Sequence, residues 1–260
     1  MTDSSAEPPV SYRRAARSPR RQKTAMAVAQ RIVEEISRHR YVPGTKLPAE
    51  REMLAQYEVG RGTLRESLRF LEMNGVLTVK PGPGGGPVVA VPDSRDLAST
   101  LGLFLELHGT RFGAILDVRE VLEPALAGMA ASLRDESSVA SIGASVESMA
   151  ANLHDLDRFL EENDRFHELV ATAAANPVFT LLTGSLDRII DGSRLGADYP
   201  PRRRQAVLTA HRSILAAIAE GDAEKARAGM SRHMQAFRRY TDKHSPQAAS
   251  SVLRWSDIAP

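Results

Sequence analysis

The chain has 260 residues, of which 42% are hydrophobic and 25% are charged, a composition typical of a folded protein of one or two domains. It contains no cysteine, which excludes a disulfide scaffold, a thiolate metal site and a cysteine nucleophile. The net charge of +2 is unevenly distributed, because residues 1–90 carry +6 and residues 91–260 carry −4. We therefore expect the basic front of the chain to contact a polyanion.

The beginning of the chain and its longest uncharged run bear on location. Residues 1–21 contain Ser, Pro and Arg with few apolar residues, which predicts a flexible basic arm and not a signal peptide. Residues 169–186 approach the length of a membrane span, but Asn176-Pro177 interrupts them. We expect a cytoplasmic protein without a membrane segment.

Residues 22–92 are predicted to form a winged helix-turn-helix domain. Helical periodicity runs from about residue 24 to 38, a short second helix starts near Pro48, and a third covers residues 61–74. Two β-branched runs follow at residues 77–80 and 88–91, with a loop of proline and glycine between them. Three helices followed by a two-stranded ribbon are the outline of that domain.

The third predicted helix favours DNA as the polyanion. Beside an apolar stripe, Arg61, Arg65 and Arg69 recur every four residues. The start of such a helix can enter a major groove, where arginine donates two hydrogen bonds to guanine O6 and N7. Arg51 could approach the same groove or a phosphate, and the glycine-rich loop with Lys80 could approach phosphates or a minor groove. A lone arginine stripe is more often a solvated helix face, but its combination with the hairpin favours DNA binding.

Three motifs in this region carry a family resemblance. They are Pro43-Gly-Thr-Lys-Leu-Pro-Ala-Glu-Arg51, Val59-Gly-Arg-Gly-Thr-Leu-Arg-Glu66 and Gly84-Gly-Gly86. Together they resemble the DNA-binding domain of GntR-family bacterial transcription regulators. The resemblance implies a set of residues that contact DNA: Arg51, Arg61, Thr63, Arg65 and, in the wing, Gly82. The chain departs from the family at Gly60, where Ser or Thr is usual and would cap the helix, and at Gly62, where Thr is usual.

Residues 93–243 are predicted to form an antiparallel all-α bundle, so that the whole fold is mainly α. Amphipathic stretches start near Ser94 and cover residues 115–133, 137–152, 155–174, 178–193, 204–219 and 223–241. Residues 244–260 are expected to be a loose tail, unless Trp255 attaches it to the bundle.

Three histidines lie on apolar faces of three of these helices: His167, His211 and His233. One such histidine is more often a satisfied core residue, but three inward imidazoles all need polar partners. A single metal ion could satisfy all of them, with Asn163 or Asp164 adding an oxygen ligand. Zn, Ni, Mn or Fe would suit three nitrogens and one oxygen, and the pattern does not choose among them.

Arg119 has two open interpretations. It could form an intrahelical pair with Glu123, four residues on, or its guanidinium could bind the carboxylate of a small ligand. An enzyme is not expected: His167-Glu168 begins like the helix of a zinc protease, but position 171 is Ala where the second His is required. Three histidines without a clear general base favour a sensing site.

The back half also carries a family resemblance. Val118-Arg-Glu-Val-Leu-Glu123, Asn163-Asp-Arg-Phe-His167, Ala175-Asn-Pro177 and the His211/His233 pair are similar to the FCD-type effector domain of FadR-like GntR regulators. The resemblance implies a divalent metal, Zn, Ni or Mn, held by four ligands: Asn163, His167, His211 and His233. Aspartate is the commoner residue at the Asn163 position. The resemblance also favours the interpretation of Arg119 as a residue that contacts the effector.

The sequence therefore predicts a ligand-responsive transcription regulator, with repressors the more frequent type in this family. It would bind an inverted-repeat operator in double-stranded DNA as a homodimer and respond to a small carboxylate. Two rival hypotheses are a metal-dependent enzyme with a DNA-binding head, and a DNA-binding protein whose bundle serves only for dimerisation.

Overall fold

The computed structural model describes residues 19–82, 84–192 and 199–258, and the side chains of these apart from residues 19–21, 191 and 192. Contacts within the chain divide it into two units, between Val91 and Pro92. The predicted basic arm lies outside the described residues except at positions 19–21. These three belong to the first helix, which was predicted to begin at about residue 24. Among the described residues, no helix is long and apolar enough to cross a membrane.

The first unit has the predicted order of three helices and a hairpin. Its elements are α1 (Pro19–His39), α2 (Glu50–Tyr57), α3 (Arg61–Met73), β1 (Leu77–Lys80) and β2 (Gly86–Val89). The strands are antiparallel, with Leu77 opposite Val89 and Lys80 opposite Gly86. The prediction of β2 at residues 88–91 was wrong by two residues. Since the ladder ends where Leu77 meets Val89, the next two residues have no β1 residue opposite them.

The core of this unit forms along the apolar stripes that the sequence predicted. Leu64, Leu68 and Leu71 of α3 are buried, and α1 contributes Val28 and Ile32. Removal of this apolar surface from water is the main force that holds the three helices together.

The second unit is a bundle of helices, and the mainly α fold is confirmed. Its long helices are α4 (Ser94–Leu107), α5 (Phe112–Leu133), α6 (Glu136–Ala151), α7 (Leu156–Ala173), α8 (Pro177–Gly192), α9 (Pro201–Glu220) and α10 (Ala223–His244). Helix α9 begins three residues earlier than predicted, because Pro201 occupies the first helical position, where the missing N–H is not needed. Aspartates cap several of the other helices: Asp93, Asp135, Asp155 and Asp222 accept hydrogen bonds from first-turn amides.

The tail is not loose over the described residues up to 258, and the alternative that Trp255 attaches it to the bundle is the one that the structure shows. The chain continues through α11 (Pro246–Ser250) and a 3-10 turn (Trp255–Asp257). Leu253 is buried, and its amide donates to the Thr110 carbonyl at 3.0 Å. The Trp255 amide donates to the Glu106 carboxylate at 2.7 Å. The tail therefore covers the end of α4 and the start of α5, through contacts too distant in sequence for periodicity to reveal.

Candidate functional site

Helix α3 has one buried face and one basic face. Arg61 is its first residue, and Arg61, Arg65 and Arg69 are all exposed. The cap position is Gly60, which supplies no side-chain hydrogen bond to the first turn. The amides of that turn are therefore without a side-chain cap at the end of the helix that carries Arg61.

Arg65 is paired with Glu50, the first residue of α2. The Arg65 Nε lies 3.2 Å from Glu50 Oε1, and the two side chains are 69% and 39% exposed. An exposed pair of this kind contributes about 0–1 kcal/mol, so a phosphate or a guanine edge can replace the carboxylate at little cost. Arg51 is exposed on the same helix, and Thr63 is half-buried in the first turn of α3.

The wing turns back on itself through glycines that no other residue could replace without strain. Gly82 is exposed with φ +92°, and a Cβ at Gly85 would lie 2.2 Å from the Lys80 carbonyl oxygen. Lys46 Nζ donates to the Gly84 carbonyl at 2.5 Å. Sequence reasoning missed this tether, because nothing in the sequence links positions 46 and 84.

The three predicted histidines come together in the second unit. His167 on α7, His211 on α9 and His233 on α10 are 3%, 0% and 7% exposed. The Nε2 of His233 lies 3.2 Å from that of His211 and 3.4 Å from that of His167. One nitrogen from each ring lies within 4.8 Å of the others. Three imidazoles from three helices therefore face one point in the core.

A network of buried ion pairs, called the relay below, contacts the histidine cluster through residues of α5. Glu123 accepts through Oε2 from His167 Nδ1 and pairs through Oε1 with Arg119 Nε at 2.5 Å. Arg119 also lies 3.1 Å from Asp187 on α8. The open question about Arg119 is thus answered in part: the intrahelical pair with Glu123 exists, but it is buried. The contact of Glu123 with His167 and the contact of Asp187 with Arg119 were not predicted.

The relay fixes the charge of its members. Burial by itself raises the pKa of Glu123, but Arg119 and then His167 outweigh it and lower that pKa to about 2. The pKa of Arg119 is raised in spite of burial, chiefly by Asp187 and Glu123. Glu123 is therefore an acceptor that holds the proton of His167 at Nδ1 and leaves Nε2 free to bind a metal.

The other two imidazoles are kept neutral. Burial, followed by the charge of the neighbouring histidines, lowers the pKa of His211 well below its ordinary value. Burial and His167 lower the pKa of His233 to about 3. The His211 ring also stacks on Phe166, with ring centroids 3.7 Å apart. Neutral imidazoles are the form that metals bind.

The donor set fits a divalent ion. Nitrogens bonded to one ion at about 2.0–2.1 Å and at tetrahedral angles lie ~3.3–3.4 Å apart, close to the 3.2 and 3.4 Å found here. The histidines differ in their second ring nitrogen. The Nδ1 of His167 contacts Glu123, whereas the Nδ1 of His211 is buried and has no hydrogen-bond partner among the described residues. An ion at Nε2 would give that ring at least one strong partner.

The predicted oxygen ligand is not part of the cluster as it stands. Asn163 lies one turn before His167, but its amide donates to Asp164 Oδ1 at 3.2 Å. No hydrogen bond joins it to the three histidines within the described part of the chain. Asp164 lies towards Arg119, whose pKa it helps to raise. The structure therefore brings the three histidines together and leaves Asn163 and Asp164 outside the cluster.

Two regions of the chain match known domains. Residues 24–85 match the domain described as bacterial regulatory proteins, gntR family, and residues 114–236 match the FCD domain. The first covers most of α1, all of α2, α3 and β1, and the loop that leads to β2, and the second covers all three histidines. The two matches lie one in each unit.

Relatives and a solved structure agree with these matches. The uncharacterized HTH-type transcriptional regulator YcbG of Bacillus subtilis is 29% identical over 84% of this chain and 90% of its own length. The galactonate operon transcriptional repressor of Escherichia coli is 29% identical over 74% of this chain and 86% of its own length. The HTH-type transcriptional repressor NanR of Salmonella newport is 27% identical over 82% of this chain and 84% of its own length. A Streptococcus agalactiae GntR structure shares the fold, with a TM-score of 0.65 and 24% identity over 83% of this chain and 99% of its own.

Proposed function

This chain belongs to the GntR family of bacterial transcription regulators and carries an FCD domain, and from that premise we propose that it is a ligand-responsive repressor. In the proposal it acts in the cytoplasm, as a homodimer on an inverted-repeat operator in double-stranded DNA. The family and the similar proteins are regulators rather than enzymes, and two of those relatives are named repressors. The proposal assigns DNA reading to the first unit and sensing to the second.

The exposed arginine face of α3 is the observation that carries the DNA-binding proposal. Arg61 and Arg65 would meet base edges in a major groove, where a guanidinium donates to guanine O6 and N7. Thr63 and Arg51 would contact phosphates or bases beside them, and Gly82 would bring the wing backbone close to the DNA. Within the described parts of the chain, Arg65 is paired with Glu50 and would have to exchange this partner for DNA.

The homodimer follows from the symmetry of the proposed operator and is supported by an apolar face. Two copies related by a two-fold axis read two half-sites in opposite directions. Helix α4 exposes Leu103, Phe104 and Leu107, which lie on one side of the helix and are 38%, 57% and 77% exposed. A contiguous apolar patch of this kind is typical of a surface that another chain covers.

For sensing, we propose that His167, His211 and His233 hold a divalent metal, Zn, Ni or Mn, with Asn163 as a fourth ligand after its amide turns towards them. FCD domains often bind metals, and this chain has the three histidines that such a site needs. The metal would fix α7, α9 and α10 to one another. A carboxylate would bind the ion either as an additional ligand or in place of Asn163.

The effector is proposed to be a small carboxylate that binds beside the histidines. Arg119 was the candidate for its carboxylate, but that guanidinium already contacts Glu123 and Asp187. The ligand would have to replace Asp187 to reach it. To release DNA, the effector must bind the released state more tightly than the DNA-bound state, with a typical coupling of ~1–3 kcal/mol.

The metal proposal is tested by elemental analysis of the purified protein. Wild type should carry about one divalent ion per chain, and the double variant His211→Ala, His233→Ala should carry none, because one nitrogen cannot hold the ion. His154, outside the cluster, provides the matched control His154→Ala, which should keep the ion. An unchanged metal content in the double variant would refute the site.

DNA binding by a dimer is tested by titration of a labelled duplex that contains a selected binding sequence. We expect two protomers per duplex and protection of two half-sites whose centres lie about one helical turn, or a multiple of it, apart. A single protected half-site with one protomer bound would contradict the dimer.

A further inference from the structure

The part of the tail from residue 251 to 258, here called the strap, lies across the junction of α4 and α5. The Phe112 amide, at the start of α5, donates to the Ser251 carbonyl at 3.0 Å. The Leu253 amide donates to the Thr110 carbonyl at 3.0 Å, and Leu253 is buried in the same apolar cluster as Phe112. The strap is therefore held by both backbone bonds and apolar packing.

From that junction the strap continues along one side of α4. The Trp255 amide donates to the Glu106 carboxylate at 2.7 Å, and the indole Nε1 donates to the Ser99 hydroxyl at 3.4 Å. The Ile258 side chain packs on Gly102, because a Cβ at that glycine would lie 2.8 Å from Ile258 Cδ1. The three residues of α4 that meet the strap recur at intervals of three and four, so they form one face of the helix.

The strap borders the exposed apolar face of α4 that the proposed function assigns to the dimer. Leu103 belongs to that face, follows Ser99 by four residues and precedes Glu106 by three. Residues at these intervals are neighbours on the surface of a helix. The tryptophan of the strap bonds to Glu106 through its backbone and to Ser99 through its ring. Its indole therefore runs beside Leu103.

Trp255 makes this apolar face larger and more aromatic. It is the only tryptophan in the chain, and 39% of its surface is exposed. Together with Leu103, Phe104 and Leu107 it forms one apolar surface, here called the α4–strap surface. A large aromatic side chain removes about 150–250 Å² from water when it is buried, and tryptophan and phenylalanine are enriched where proteins meet.

The size of a stable interface and its symmetry both favour a second copy on this surface. A standard interface buries about 800 Å² on each partner and takes roughly 20–30 residues from it. Three side chains of α4 supply too little area, and the strap is the neighbouring element that adds an exposed aromatic ring. Two copies related by a two-fold axis present the same surface to each other, and an apolar surface can pack against itself without opposite charges.

We propose that two copies of this chain meet through the α4–strap surface and that Trp255 of each copy becomes buried in the contact. The inference rests on the homodimer of the proposed function and adds the end of the chain to its interface. Both parts of the surface lie outside the match to the FCD domain, which covers residues 114–236. The strap would hold α4 in place and also supply an aromatic anchor to the second copy.

Fluorescence of the single tryptophan tests the inference in the unmodified full-length protein. The protein is diluted until its mass, measured by sedimentation, falls from that of two chains to that of one. In the dimer the indole should emit at shorter wavelength and be quenched weakly by acrylamide, because the second copy shields it from water. Dissociation should shift the emission to longer wavelength and increase the quenching. The variant Phe104→Asp, Leu107→Asp supplies the spectrum of the single chain at high concentration.

A pair of strap variants measures the contribution of the indole. Trp255→Ala should raise the dissociation constant of the dimer by at least about tenfold, because buried tryptophans carry much of the binding energy of an interface. Arg254→Ala is the matched control, since Arg254 is the preceding residue of the strap and is also exposed, and it should leave the constant nearly unchanged. Circular dichroism shows whether Trp255→Ala is folded. If it is not, the fluorescence of the wild type decides.

Three results would overturn the inference and leave the proposed function standing, provided that the wild-type dimer still binds DNA selectively. These are a dimer whose tryptophan is quenched as strongly as that of the single chain, an unchanged dissociation constant in Trp255→Ala, and equal losses in Trp255→Ala and Arg254→Ala. A wild-type protein that is a monomer at every concentration, with and without DNA, would contradict the proposed homodimer as well.

Discussion

Arg61 is the first residue of α3, and its exposed guanidinium lies at the end of the helix that the proposed function places in the major groove. Arg61→Ala should lower affinity for the operator by ~1–3 kcal/mol and relax the base preference at one position in each half-site. Competition between operators that differ at single positions measures both effects. Arg69→Ala, two turns further along the same face, is the control and should weaken binding with little change in preference. An unaltered base preference in Arg61→Ala would contradict the proposal that the start of α3 lies in the major groove.

The histidine cluster makes a prediction about pH for protein stripped of metal by a chelator. The pKa values of His211 and His233 are lowered in the folded chain from an ordinary value of 6.5, chiefly by burial. Below about pH 6.5 the unfolded chain therefore binds more protons than the folded chain, and stability falls as pH is lowered from 7 to 5.5.

Urea unfolding at a series of pH values measures this effect. The variant His211→Gln, His233→Gln lacks both groups and is the control, so its midpoint should change less over the same interval. A wild-type midpoint that stays constant or rises as pH falls would contradict the burial of neutral imidazoles.

For single residues, the sequence predicted correctly those features that depend on the spacing of residues along one helix. Helical spacing predicted that His167, His211 and His233 face inward, because apolar neighbours at three and four residues mark a buried face. It could not predict that Glu123 would hold His167, 44 positions away, or that Asp187 would meet Arg119. Those contacts depend on how helices pack, which is a property of the whole fold.

At the scale of elements, the wing depends on backbone that only glycine can adopt. A Cβ at Gly85 would lie 2.2, 2.8 and 2.9 Å from three backbone oxygens of the same loop. Gly85→Ala must therefore distort the wing, and it should weaken binding to all DNA sequences alike, because the wing is proposed to contact the backbone.

Gly60→Ala provides the control for this change. Position 60 has an ordinary negative φ, and a Cβ there meets no atom within 4 Å. Anisotropy titrations with specific and random duplexes should show a loss for Gly85→Ala and at most a small change for Gly60→Ala. Equal DNA affinities for both variants would contradict the proposed contact between the wing and the DNA.

The elements themselves were largely predictable, and the errors have physical causes. The apolar stripe of α3 and the proline and glycine of the loop predicted three helices and a hairpin in the right order. The bounds of β2 were wrong, because pairing with β1 and not β-branched composition decides where the ladder ends. The tail was expected to be loose unless Trp255 attached it, and the burial of Leu253 beside the start of α5 was not predicted.

For the whole molecule, the proposed dimer depends on a surface that the single chain leaves uncovered. Phe104 and Leu107 are 57% and 77% exposed on α4. Phe104→Asp with Leu107→Asp should therefore produce a folded monomer with much weaker operator binding, since two linked half-site contacts become one. Light scattering after gel filtration gives the mass.

Val121→Asp with Val118→Asp is the matched control, because these residues are also exposed and apolar but lie on α5. If the α4 variant stays dimeric while the α5 variant becomes monomeric, the dimer surface has been assigned to the wrong helix. If both stay dimeric, neither exposed face carries the contact.

The account rests on selective recognition of DNA by the arginine face of α3, and selection from genomic fragments measures this most directly. Purified full-length protein is mixed with sheared DNA of its source organism and with random duplex of equal length, and the bound fragments are sequenced. We expect strong enrichment of a small set of fragments that share an inverted repeat. A bound fraction with the same composition as the input, with and without added metal and small carboxylates, would contradict the account.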